Sequence, residues 1–137
     1  FAKFNQKTLG DVMTITVYGI KNCNTMKKAF DKLNELGVNY DFFDYKKQVL
    51  SVDEFGEFVR IFGDKVINKQ GTTYRKLDDN TKAVLGGVTD SNQLQAVYEI
   101  VKNQQSMLKR PIIIGEHQGE QVAVIGFDDG EYQAVFG

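Results

Sequence analysis

The chain has 137 residues, a length that fits one compact domain, and its 42% apolar and 26% charged residues match a globular protein. Lys and Arg number 17 against 18 Asp and Glu, a net charge of −1, so no basic excess points to nucleic acid. One Cys, one His, one Pro and no Trp exclude an intramolecular disulfide, a Cys-x-x-Cys pair and a Cys/His zinc site. Redox chemistry at Cys23 therefore needs a thiol from outside the chain.

Residues 1–12 carry Lys3, Asn5, Gln6, Lys7 and Asp11 and lack the apolar stretch of a signal peptide. They read as an N-terminal extension or expression remnant, ahead of one domain over 13–137. No apolar run is long enough for a membrane span, and the expected compartment is the cytoplasm. Thr14-Ile-Thr-Val-Tyr18 alternates polar with β-branched apolar residues and predicts a strand. From Met26 on, Met26, Ala29, Phe30, Leu33 and Leu36 fall on one helix face, with Gly37 as its stop. Val38–Phe43 predicts a second strand, completing a βαβ unit with a right-handed crossover. Ser51 and Glu54 fit a capping box before a helix whose buried stripe is Phe55, Phe58, Val59 and Phe62. Residues 64–77 read as a polar loop with at most a short turn. Asp79 is expected to cap a brief helix ending at Gly86-Gly87, and a longer helix starts near Ser91. Pro111–Ile114 and Gln121–Ile125 predict an antiparallel hairpin, and Asp128 or Asp129 caps a last helix. The order is β-α-β, a helical block inserted at about 51–106, then β-β-α: an α/β chain with a thioredoxin-like arrangement.

Cys23 falls where the first strand has ended and the helix begins. A free Cys is most often a buried, inert thiol. Its neighbours Lys21, Asn22, Asn24 and Thr25 are not core residues, however, and a helix N-terminus offers unpaired N–H groups and positive potential. Lys21, Lys27 and Lys28 add charge, so a thiolate with a lowered pKa is the alternative. Pro111, on base rates alone, follows a trans peptide bond. Arg110 is either a solvated charge or a planar fork for carboxylate or phosphate oxygens. The loop Asn68-Lys-Gln-Gly-Thr-Thr-Tyr-Arg-Lys76 is a surface connector or, through Lys69, Arg75 and Lys76, an anion site. His117 reads as solvated. A phosphatase-type Cys-x5-Arg loop is excluded, because position 29 is Ala.

Five stretches carry a resemblance. They are Tyr18-Gly-Ile-Lys-Asn-Cys-Asn-Thr-Met-Lys-Lys-Ala29, Asp41-Phe-Phe-Asp-Tyr-Lys46, Asn68 to Leu77, Lys109-Arg-Pro-Ile112 and Gly126-Phe-Asp-Asp-Gly-Glu-Tyr132. In this order they resemble the arsenate-reductase-like ArsC/Spx family, most closely its YffB-type branch. The resemblance implies a thioredoxin-like core with a helical insertion, Cys23 as nucleophile, and a cis bond between Arg110 and Pro111. Of the three arginines that hold the oxyanion in arsenate reductases, Arg110 matches one; the others fall on Asn68 and near Gly126. Gln70 stands where YffB-type relatives usually have Arg, and Met26 where Spx proteins have a second cysteine.

The resulting expectation is a monomeric, glutathione-dependent thiol oxidoreductase. Cys23 is its catalytic residue, and its partners are glutathione and an oxidised thiol or small oxyanion. Lys21, Asn22, Asn24, Thr25, Asn68, Lys69, Arg75, Arg110 and Pro111 are the candidate binding residues. No metal, tightly bound cofactor, nucleic acid or membrane is expected. The alternatives are an Spx-like adaptor that docks on RNA polymerase or another protein, and a scaffold with an ordinary thiol.

Overall fold

The sheet is built around β1 (Ile15–Gly19), whose alternation buries Ile15 and Val17 while Thr16 and Tyr18 stay partly exposed. The computed structural model describes residues 14–137, so the segment read as an extension lies outside the described residues. β2 (Tyr40–Asp44) runs parallel to β1, with Ile15 opposite Tyr40, which requires the crossover helix α1 (Asn24–Glu35) between them. β3 (Ile112–His117) is antiparallel to β1, with Val17 opposite Ile113, and β4 (Glu120–Ile125) is antiparallel to β3. The order is β2-β1-β3-β4, a mixed α/β sheet with the expected thioredoxin-like arrangement.

Local chemistry fixes the joints. Gly37, at φ 72°, takes the left-handed conformation that ends α1. The β3–β4 turn is Gln118-Gly119, both at positive φ, the type I′ pattern that matches strand twist. Gly115 faces β1 so closely that a Cβ there would lie 2.4 Å from the Thr14 carbonyl oxygen. The last helix, α6 (Asp129–Phe136), is capped by Asp128, which accepts from the Glu131 N–H at 2.8 Å. Ile15, Val17, Met26, Ala29, Leu33, Ile113, Val124, Tyr132 and Phe136 form one core between sheet, α1 and α6. At its edge the ammonium of Lys32 on α1 pairs with Asp129 at 3.2 Å and Glu35 at 3.3 Å. His117 is not simply solvated: its Nε2 lies 3.2 Å from the Phe136 carbonyl oxygen, and the two rings meet edge to face.

The described chain divides into two compact units, one made of residues up to Asp44 and from Arg110 onward, the other of Tyr45–Lys109. In the second, Ser51 and Glu54 form the expected capping box of α2 (Val52–Phe62). Phe55 and Phe58 are buried, whereas Val59 and Phe62 are only half-buried. The stretch read as a loop holds a 3₁₀ turn at Gly63–Val66 and the short helix α3 (Thr72–Arg75). α4 (Asp79–Leu85) is capped by Asp78, not Asp79, because the Asp78 carboxylate accepts from Thr81 N–H at 2.7 Å. A 3₁₀ turn at Ser91–Gln93 leads into α5 (Leu94–Val101). Buried Gln105 closes this unit, donating to the Tyr45 and Gln48 carbonyls and accepting from Leu50 N–H. Among the described residues, no helix is long and apolar enough to cross a membrane.

Candidate active site

Cys23 is the N-cap of α1, with extended backbone angles of φ −148° and ψ 131°. Its carbonyl accepts the first helical hydrogen bond from Lys27 N–H at 3.0 Å, and its own N–H is held by the Lys21 carbonyl at 3.1 Å. The helix starts two residues before its first apolar position, which leaves the sulfur over the opening turn and half-exposed. Partial burial pushes the thiol up, but the Met26 N–H, the Arg110 side chain and the Thr25 N–H together outweigh it. The net result is a thiol below its ordinary pKa.

The source of the positive charge differs from the sequence expectation. Arg110 acts on the sulfur both by hydrogen bonding and through its charge, whereas Lys27 is engaged by Asp31 at 2.8 Å. Arg110 stands beside Cys23 because β3 pairs with β1 and the chain enters β3 directly after it. The Arg110–Pro111 peptide bond is cis, as the resemblance implies. Pro111 is buried, and its carbonyl accepts from Gly126 N–H at 2.8 Å. Gly19 leaves room for Met26, since a Cβ there would lie 2.4 Å from the Met26 sulfur. Met26 is thus a core residue beneath the opening turn.

An open pocket of ≈ 620 Å³ lies beside Cys23 along the start of α1, within the size range of small-molecule sites, and neither Arg110 nor Pro111 is among its lining residues. Lys21, Asn22 and Asn24 line it as the sequence placed them, and Thr25 contributes through its backbone N–H. Lys27, Phe30 and Asp31 line it as well. By spacing Phe30 falls on the core face and Asp31 outside it, yet they lie seven and eight residues from Cys23, two helical turns along the same side of α1.

Asn68, Lys69 and Arg75 belong to the other unit. There the Asn68 N–H donates to the Met107 carbonyl at 2.8 Å, the Lys69 ammonium lies 3.9 Å from Asp64, and Arg75 is exposed. Gln70 is also exposed, and Thr73 and Ser106 share a hydroxyl–hydroxyl bond of 2.9 Å.

The ArsC family model matches residues 18–135. The chain belongs to the ArsC family. A solved structure named YffB is 37% identical, spanning 90% of this chain and 99% of that one, with a TM-score of 0.73. The solution structure of an arsenate reductase (ArsC) related protein from Brucella melitensis is also 37% identical, over 90% of this chain and 95% of that one, with a TM-score of 0.60. The global transcriptional regulator Spx of Listeria innocua is 28% identical over 120 residues, 85% of this chain and 82% of Spx. Within the ArsC family, these likenesses support placement on the YffB-type branch.

Proposed function

We propose that this ArsC-family chain is a glutathione-dependent thiol oxidoreductase with a single catalytic cysteine, acting as a cytoplasmic monomer and without nucleic acid. The observation that carries this reading is the place of Cys23 at the N-cap of α1, where the Met26 and Thr25 N–H groups and Arg110 hold its thiol below the ordinary range. The Cys23 thiolate attacks one sulfur of a disulfide substrate; that S–S bond breaks, and the other sulfur leaves as a thiolate that takes a proton from solvent. A glutathione thiolate then attacks the mixed disulfide on Cys23. The new bond joins glutathione to the substrate sulfur, and Cys23 leaves as the thiolate it began as. An external thiol is required because Cys23 is the one cysteine of the sequence, and glutathione is the thiol proposed for that role.

Arg110 stabilises the leaving Cys23 thiolate and offers a cation to a glutathione carboxylate. The strand after Pro111 aligns peptide-like backbone, and Lys21, Asn22, Asn24 and Thr25 contribute polar contacts. A disulfide suits the site better than an arsenate-like oxyanion. A doubly negative oxyanion calls for several guanidiniums, and Asn68 and the Gly126 region supply none.

The test is the rate of Cys23 alkylation by iodoacetamide against pH, with and without glutathione disulfide. A midpoint well below the free thiol's value of about 8.5, with protection by the disulfide, is the expected result. A midpoint near the free value without protection would overturn the reading. The likeness to Spx favours one second reading, an adaptor that binds RNA polymerase; failure of the immobilised chain to retain the polymerase would remove it.

A further inference from the structure

The pocket beside Cys23 extends well past the sulfur. Phe30 lies seven residues beyond Cys23 on α1, two turns away and within about 20° of the same face, which puts it about 10 Å along the helix axis. Both residues line the pocket, with Lys27 one turn between them. Phe30 is half-exposed, unlike its helix neighbours Ala29 and Leu33, which are fully buried in the core. Its ring is also held in place. Tyr40 stacks on it with centroids 5.5 Å apart and planes 16° from parallel, and Phe42 meets it edge-on at 5.3 Å. Both partners come from β2, a sheet edge, so the aromatic surface of the pocket, the Phe30 ring, is fixed by strand and helix together.

The charges around this surface are unevenly engaged. The Lys27 ammonium and the Asp31 carboxylate neutralise each other at 2.8 Å on the flank of Phe30. Lys21, exposed and close in sequence to Cys23, lines the end of the pocket near the sulfur. A ligand with an anionic group near its sulfur and an apolar group farther out complements this order of cation, neutralised pair and aromatic ring.

We infer that Phe30 is a specificity-determining residue, receiving an aromatic or branched apolar group that a small-molecule disulfide substrate carries beyond the sulfur attacked by Cys23. A small molecule suits the pocket volume of ≈ 620 Å³. The disulfide chemistry rests on the function proposed above; the selectivity of the pocket does not.

The test therefore reads Cys23 alone. Alkylation by N-phenethyl iodoacetamide is compared with alkylation by iodoacetamide; in both, the thiolate displaces iodide and forms one C–S bond. The ratio of the two rates cancels the fraction of thiolate. A favourable aromatic contact raises that ratio by about two- to tenfold over the ratio for free glutathione in the same buffer. Phe30→Ala is expected to return it to the free-thiol value, with the iodoacetamide rate of each protein serving as the denominator. A wild-type ratio equal to that of the free thiol, or one unmoved by Phe30→Ala, overturns the inference. Should Phe30→Ala fail to fold, the wild-type phenethyl adduct decides by nuclear Overhauser contacts. Contacts from its ring to Phe30 support the inference, and contacts only to Pro111 and β3 overturn it. Loss of glutathione-dependent turnover with a raised, Phe30-dependent ratio would sink the proposed function and leave this inference standing.

Discussion

At the start of α2, Ser51 accepts the Glu54 N–H at 3.0 Å, and Glu54 returns the favour to Ser51 N–H at 2.8 Å. Asp53 and Glu54 add negative charge to that first turn. The start of α1 is built the other way: its N-cap is Cys23, without a side-chain capping bond, and its first turn holds no acidic residue. Every helix leaves N–H groups unpaired at its start and gathers positive potential there. In α2 the sequence neutralises that potential locally, and the result is stability. In α1 the potential is left to act on a sulfur, and β3 brings Arg110 to add to it. Capping and the lowering of a thiol pKa thus draw on the same backbone groups, and the residue at the N-cap decides between them.

The largest effect that tests this contrast is loss of the sulfur. Cys23→Ser is expected to reduce glutathione-dependent disulfide exchange to the uncatalysed background with the circular dichroism spectrum unchanged; residual turnover would place the chemistry elsewhere. The same pair reports the linkage. A thiol whose pKa is lowered by folding adds stability above its unfolded pKa, and loses that stability as pH falls through the folded value. The stability of wild type relative to Cys23→Ser, from urea unfolding under reducing conditions, is therefore expected to grow from pH 6 to pH 9. A flat difference would mean the thiolate is not favoured by the fold.

Next comes the charge. Arg110→Met removes a hydrogen bond and a positive charge that both favour the thiolate, so the midpoint of Cys23 alkylation moves to higher pH and the rate below it falls. Lys27→Met is the control. With Lys27 already held by Asp31, it is expected to move the midpoint less than Arg110→Met does, and the reverse order would restore the lysines as the source. In α2, Ser51→Ala is expected to cost about 1 kcal/mol of stability by the capping scale, read as a lower urea midpoint, with Cys23 alkylation unchanged.

Features encoded within a few residues were legible in the sequence. Ser51 and Glu54 announce a capping box, Gly37 a helix stop, and the alternation at Ile15–Val17 a strand. The sequence points to Asp79 as the α4 cap, and the cap is Asp78: adjacent carboxylates offer the same chemistry, and only the backbone angle at the cap distinguishes them. The 3₁₀ turn at Gly63–Val66 and α3 are too short to set up a periodicity. At the site, the sequence pointed to Cys23 from its neighbours, yet it credited nearby lysines with a charge that comes from Arg110. That contact depends on β1–β3 pairing, which is remote in the chain. Phe30 was assigned to the core because its spacing matches Met26 and Leu33. Its partial exposure follows from packing against Tyr40 and Phe42 at the sheet edge, which no helical pattern contains.

The smallest expected effect is also the sharpest probe of the comparison. Asp128 caps α6 with backbone angles of φ −144° and ψ 120°, nearly those of Cys23 at −148° and 131°, and its carboxylate reaches the Glu131 N–H three residues on. A carboxylate at position 23 has the same reach to the Met26 N–H. It also meets the unneutralised first turn of α1 and the Arg110 guanidinium that now serve the sulfur. Cys23→Asp is therefore expected to abolish exchange while raising stability at neutral pH by about 0.5–1 kcal/mol, in the range of good N-caps. The gain appears as a higher urea midpoint with unchanged slope, and it is lost in acid as the new carboxylate protonates. A variant no more stable than wild type would show that the start of α1 is shaped around sulfur and not merely left uncapped.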